Sequence, residues 1–233
     1  MSEFFIRLIQ SGIIGSTGDK TLYAIGALII VLFSYFVGSI NFCRMISVKL
    51  GVENDPYFIS EKIGGKLFLY YLFDALKGFV CATVGFVLMP GSGFACIAML
   101  LCLFGHGFPV YYGFKSNGNA GVLACMAGAS IVINPIIAPL ALIITSLFYF
   151  AFRYVSLSGL IFSVLFGIAN DRFMFWNFAA AEKSFVSVIN TAASYGGPIV
   201  TMLLAVLLYA NGFARLVRGK EEKVYYKKKK ENE

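Results

Sequence analysis

"AGVLACMAGASIVINPIIAPLALIITSLFYFAF", residues 120–152, runs for 33 positions without a charge. As one helix it would be about 50 Å long at 1.5 Å per residue. That is long for one crossing of a roughly 30 Å hydrocarbon core and short for two. Its reading decides whether the chain crosses a membrane six or seven times. Pro135 and Pro139, in "INPIIAP", each remove a backbone donor and interrupt a continuous helix.

Charge settles the count. With seven spans, the positions facing the cytoplasm include Arg44, Lys49, Lys62, Lys66, Lys115, Arg153 and the eight basic residues from Arg215 onward, fourteen in all. Only Arg7, Lys20, Arg172 and Lys183, four residues, then face outward. A single crossing over 120–152 would put Lys115 and the tail on opposite sides. Seven spans therefore obey the tendency for Lys and Arg to remain cytoplasmic. The spans are expected near 21–46, 67–89, 93–112, 120–134, 136–152, 157–176 and 197–216.

Composition agrees. The 233 residues are 59% hydrophobic and 13% charged, with mean hydropathy +0.80. Soluble domains are nearer half apolar and about a quarter charged. The expectation is an all-α, polytopic membrane protein of about seven transmembrane helices, N-terminus outside and C-terminus cytoplasmic. Residues 1–20 form an interfacial segment, 21–218 the membrane domain, and 219–233 a basic cytoplasmic tail. The outer stretch 177–196, "NFAAAEKSFVSVINTAASYG", reads as an interfacial helix plus turn. No early stretch has the basic n-region of a signal peptide. The tail suits anionic lipid headgroups rather than nucleic acid.

The five cysteines lie in apolar stretches, without C-x-x-C spacing or a nearby histidine, and read as small buried hydrophobes. One histidine among scattered carboxylates does not make a metal cluster, and no cofactor is expected.

The polar residues that remain are concentrated on the cytoplasmic side. "DALKG" places Asp74 and Lys77 three residues apart on one helix face, a pair that partly neutralises itself inside a span. It is either a functional pair or an interhelical structural one. "GSINF" puts Gly38 and Ser39 in the first span, for close helix approach or a bond across the bundle. "GHGFP" carries His106, the sole histidine, either a proton acceptor or a satisfied interfacial residue. "GFKSNGNAG" then enters the fourth span. A Gly/Asn turn at a helix N-terminus offers free amides and a positive dipole end to an anion, and Lys115 adds a charge. Ser156 and Ser158 start the sixth span as hydroxyl donors or caps. Arg215 and Arg218 close the seventh.

Taken in order, these pieces resemble the bacterial acyl-phosphate:glycerol-3-phosphate acyltransferases, the PlsY family. The carriers are "GSINF" at 38–42, "DALKG" at 74–78, "GHGFP" at 105–109, "GFK" at 113–115, "GV" at 121–122, "RYVSL" at 153–157 and "RLVRGKE" at 215–221. The resemblance implies a seven-span fold in the plasma membrane with its site facing the cytoplasm. It implies transfer of a fatty acyl group from acyl phosphate to glycerol 3-phosphate, giving lysophosphatidic acid without an acyl-enzyme. By the same resemblance, Lys77, Lys115, Asn119 and Arg215 bind substrate phosphate, while Ser39, His106 and Ser156 orient the attacking hydroxyl and His106 accepts its proton. The expected partners are the two substrates and membrane lipids.

The departures are specific. The family's Gly-Ser-Gly-Asn loop is absent from "GVENDPYFISEKIGGK", which is shorter and acidic. Asn41 replaces the family proline. The turn "FKSNGNAG" lacks a second lysine, and "LLYANGFA" lacks the terminal Arg-His and Asn. Two readings follow: an acyltransferase with a remodelled site, or a homologue that kept the fold and binds a lipid phosphate or a membrane partner. A transporter is the weaker third, because no inverted repeat is present.

Overall fold

The computed structural model describes residues 20–89, 92–114, 120–172 and 185–218. Apart from Lys20, the expected N-terminal segment and the basic tail lie outside these residues, as do Lys115 and Asn119. Among the described residues every regular element is helical: α1 (Lys20–Ser39), α2 (Phe42–Leu50), α3 (Pro56–Ile63), α4 (Leu67–Leu88), α5 (Ser92–Gly107), α6 (Val122–Ile133), α7 (Ile137–Phe152), α8 (Val155–Arg172) and α9 (Phe185–Val217). Short 3-10 turns occupy Gly64–Lys66 and Val110–Tyr112. The helical stretches Thr21–Leu50, Pro56–Leu88 and Gly93–Tyr112 are long and apolar enough to cross a membrane, and four shorter apolar helices follow.

The decisive segment divides as its prolines require. α6 ends at Ile133, and Asn134 turns the chain. The Asn134 side-chain oxygen accepts from the Ile136 and Ile137 amides at 3.3 and 3.0 Å, capping α7. Its amide donates to Asn170 of α8 at 3.1 Å. The turn is thereby fixed to a neighbouring helix.

α5 lies at the centre, in contact with α1, α4, α6 and α9, while α4 and α6 pack along their lengths. Small residues permit this. A Cβ on Gly78 would overlap the Cys125 carbonyl, one on Gly128 the Ala75 carbonyl, and one on Gly38 the Cys102 carbonyl. Where lipid is as apolar as the side chains, such close backbone approach supplies the contact that holds helices together. Phe162 and Phe166 stack with centroids 6.0 Å apart in the core formed with Met99, Leu103 and Tyr209.

Two expectations are corrected. Residues 185–196 do not turn along the interface: α9 is one helix from Phe185 to Val217, running through Pro198. Its 33 residues would span about 50 Å. A Cβ on Gly197 would lie 2.7 Å from Cys96 Cβ, so close packing on α5 needs a residue without one. The first span, expected unbroken over 21–46, is interrupted after Ser39 and restarts at Phe42.

That interruption exposes backbone groups inside the protein, and α4 answers them. The C-terminal end of α1 presents carbonyls, which favour a cation; the N-terminal end of α2 presents amides, which favour an anion. Lys77 Nζ donates to the Gly38 and Ile40 carbonyls at 3.1 and 2.6 Å. The Asp74 carboxylate accepts from the Phe42 and Cys43 amides, both at 3.3 Å. The two side chains pair at 2.8 Å. Asn41 caps α2 by accepting from the Arg44 amide at 2.8 Å.

Removing one charge strands the other in a buried site. Lys77→Met is expected to destabilise the fold by about 3–5 kcal/mol, and Lys77→Met with Asp74→Asn to regain part of that loss. Thermal unfolding in detergent measures both. A double variant destabilised by the sum of the losses of Lys77→Met and Asp74→Asn would show that the two charges are not coupled.

Candidate functional site

The polar cluster grows from the break in the first span. Asp74, Asn41, His106 and Lys77 are 0, 3, 3 and 5% exposed, so the groups must satisfy one another. His106, on the last turn of α5, approaches Lys77 Nζ through Nδ1 at 2.7 Å. Its Nε2 lies 3.1 Å from the Ala120 carbonyl and 3.1 Å from Asn41 Nδ2. Asn41 Nδ2 also donates to the His106 carbonyl at 3.3 Å. One layer thus joins the first span, α4, α5 and the start of α6.

Gly121 closes this layer. Its φ of 85° is left-handed, and a Cβ there would meet the Asp74 carboxylate and the His106 ring. Both the backbone and the space therefore require glycine.

The segment following α5 is tied to α1. Tyr35 Oη donates to the Phe108 carbonyl at 3.1 Å, and the Val110 amide donates to Ser39 Oγ at 3.5 Å. Ser39 Oγ in turn donates to the Tyr35 carbonyl at 2.8 Å. The Arg44 guanidinium lies over the Tyr112 ring, 4.4 Å from its centroid, in a cation–π contact. The stretch 108–120 is therefore fastened at its beginning by Tyr35, Ser39 and Arg44, and at its end by His106. Lys115 and Asn119 belong to that stretch but lie outside the described residues.

A cavity of about 340 Å³ adjoins the cluster at Gly121. Phe68, Ala124, Leu142, Phe150 and Tyr209 contribute to its mainly apolar wall, from α4, α6, α7 and α9. Its volume and apolar lining suit a hydrocarbon chain segment.

Of the residues expected from sequence, Lys77 and His106 are in direct contact, and Ser39 lies beside them through its neighbours Gly38 and Ile40. Ser156 is buried on the first turn of α8. Arg215 is elsewhere engaged: its guanidinium donates to Asp55 at 2.6 Å. Asp55 also caps α3 by accepting from the Tyr57 amide at 2.9 Å. Asn41 and Gly121 were not singled out as site residues. The sequence signal for Asn41 is an amide side chain directly after an apolar run, where it caps a restarted helix. Gly121 announces itself only by its place between a polar turn and an apolar helix.

The family model described as glycerol-3-phosphate acyltransferase matches residues 28–219. Proteins named glycerol-3-phosphate acyltransferase are similar along nearly their whole length. That of Cupriavidus pinatubonensis is 27% identical over 217 residues, covering 87% of this chain and 98% of the relative. That of Halalkalibacterium halodurans is 28% identical over 216 residues, covering 86% and 96%. The crystal structure of PlsY (YgiH), an integral membrane glycerol 3-phosphate acyltransferase in its glycerol 3-phosphate form, is 23% identical. It superposes with a TM-score of 0.65, covering 84% of this chain and 94% of that one. The lysophosphatidic acid form gives 0.63. The helical membrane fold is thus shared, and with the family model covering most of its length, the chain belongs to the glycerol-3-phosphate acyltransferase family.

Proposed function

We propose that the protein is a membrane acyltransferase that moves a fatty acyl group from acyl phosphate to glycerol 3-phosphate, giving lysophosphatidic acid. It crosses the plasma membrane seven times, with its C-terminus and reaction centre on the cytoplasmic side. The observation that carries this reading is convergence. "GSINF", "DALKG" and "GHGFP", far apart in sequence, meet in one buried cluster, and an apolar cavity of acyl-chain character adjoins it.

The chemistry sets the demands. The acceptor hydroxyl attacks the acyl carbonyl, an ester C–O bond forms, and the bond from the acyl carbon to the bridging oxygen of the phosphate breaks. Inorganic phosphate leaves carrying the hydroxyl proton in the net balance. Both substrates are anions, so the site must hold two phosphates and orient the hydroxyl. Lys115 and Asn119 supply a cation and an amide from the stretch fastened by His106 and Ser39. Lys77 already donates to the first span and to Asp74, so it supports the phosphate site through the backbone around Ser39. Ser156 is assigned to hydroxyl orientation. Arg215 reaches substrate phosphate by exchanging the Asp55 carboxylate for it. The hydrocarbon chain of the donor lies in the cavity.

Binding without turnover is the second reading. It is favoured by the Asp55–Arg215 pair, which occupies a cation assigned to phosphate, in a segment where the Gly-Ser-Gly-Asn loop is absent.

The direct test uses purified protein in mild detergent with long-chain acyl phosphate and labelled glycerol 3-phosphate. Labelled lysophosphatidic acid is expected, and Lys115→Ala is expected to lower kcat/KM by about 10²-fold or more, as for loss of one preorganised donor. Ligand-dependent thermal stabilisation without product, beside an active relative, would establish the second reading. In the same assay Ala124→Phe, which fills the cavity, is expected to raise KM for a long-chain donor by about tenfold, the equivalent of some two buried methylenes. A short-chain acyl phosphate should be nearly unaffected. Equal effects on both donors would place the chain elsewhere.

A further inference from the structure

The cavity beside Gly121 is apolar but not uniformly so. Leu142, Thr145 and Tyr149 of α7 are spaced so that they share the helix face that lines it. Thr145 is 2% exposed, and its hydroxyl has no hydrogen-bond partner in the protein. A hydroxyl inside a helix has a ready acceptor in the carbonyl one turn back. Thr83, Ser146 and Thr201 use it, donating to the Phe79, Leu142 and Gly197 carbonyls at 2.8, 2.7 and 2.8 Å. Thr145 leaves the corresponding Ala141 carbonyl unused. The serines of the same wall are committed elsewhere, Ser146 to Leu142 and Ser158 to the Tyr154 carbonyl at 2.9 Å.

A buried hydroxyl without a partner is costly. A saturated hydrocarbon chain has no group to pair with it, whereas a hydroxyl on the chain brings both a donor and an acceptor. We propose that Thr145 is a specificity-determining residue, and that the donor this site prefers carries a hydroxyl on its acyl chain. The proposal rests on the acyltransferase reading, which places the donor chain in this cavity. Depth sets where the hydroxyl belongs. Gly121 marks the end of the cavity at the polar cluster, and α7 returns from the turn at Asn134. Thr145 lies one helical turn nearer to that turn than Gly121 does, and so about 6 Å deeper. The chain hydroxyl therefore sits a few carbons from the reacting carbonyl and not at the far end.

Three hexadecanoyl phosphates test this with purified protein in mild detergent and labelled glycerol 3-phosphate. One is unsubstituted, one is hydroxylated a few carbons from the carboxyl group, and one is hydroxylated at the last carbon. Wild type is expected to favour the second over the first about fivefold in kcat/KM, the worth of one hydrogen bond, and not to favour the third. Thr145→Val, close in shape but without the hydroxyl, is expected to treat the first two alike. Thr145→Ser is expected to keep the preference. No preference in wild type, or one that survives in Thr145→Val, would overturn the proposal.

Two measurements need no turnover. Thr145→Val is expected to unfold in detergent at or above the wild-type midpoint, because it removes an unpaired polar group. A midpoint several degrees lower, or a variant that does not fold, would mean that the hydroxyl is bound within the protein, and would overturn the proposal. The free fatty acids of the first two chains supply the second measurement. The hydroxylated acid is expected to raise the wild-type midpoint more than the unsubstituted one, and the difference is expected to vanish in Thr145→Val. Equal shifts in wild type would overturn the proposal. If wild type transfers no acyl group from any donor, the transferase reading falls, and the fatty-acid comparison still decides whether the cavity selects a hydroxylated chain.

Discussion

Breaking a helix inside a bilayer leaves carbonyls on one side of the gap and amides on the other, in a medium with nothing to bond them. The first span is broken in this way between Ser39 and Phe42, and the cluster around it exists to repair the break. The repair has the sign the backbone dictates. A lysine meets the carbonyl end, an aspartate meets the amide end, and they sit one turn apart on α4 so that they also neutralise each other. His106, Asn41 and Gly121 are then arranged around a charge pair whose geometry is already set.

Packing and polarity depend on each other here. Lys77 reaches Gly38 and Ile40 because α4 lies close to α1, and Gly78, directly after the lysine, lets α4 meet α6 without a side chain between them. Gly105, directly before His106, plays the same part toward α1, where a Cβ would overlap the Tyr35 carbonyl. A larger residue at either glycine would shift the polar residue beside it along with the backbone. The dipeptides "KG" and "GH" couple a polar function to a packing function, which explains why the polar residue and the glycine occur as neighbours.

Much of this was legible in the sequence, and the parts that were not share a cause. The seven apolar stretches followed from length and charge placement, and "INP" gave the division of residues 120–152 because proline and asparagine act locally. The Asp74–Lys77 pair was visible because charges three apart in an apolar run have few explanations. The break at Asn41 was not expected, since one amide side chain after an apolar run is a weak signal and the groups that stabilise the break lie on another helix. The Asp55–Arg215 pair joins residues 160 apart in sequence, beyond the reach of any periodicity. The interfacial helix and turn expected over 177–196 came from its small and polar residues, whereas from Phe185 onward the chain is one helix that runs through Pro198. The occupancy of both His106 nitrogens depends on three other segments, and a lone histidine in a sequence says nothing of them.

The Asp74–Lys77 pair has a consequence for how the molecule is made. Because the two opposite charges lie on one helix, α4 enters the bilayer as a unit of no net charge and needs no partner span to shield it. The first span has no such independence. During synthesis it precedes α4, and until α4 arrives neither Lys77 nor Asp74 is present to satisfy an interrupted backbone. A continuous helix through Ile40 and Asn41 bonds those same groups internally. The discontinuity is therefore acquired when α4 docks, and Ser39 takes its final position only at that step, so the buried polar cluster is a product of bundle assembly and is absent from the newly inserted span.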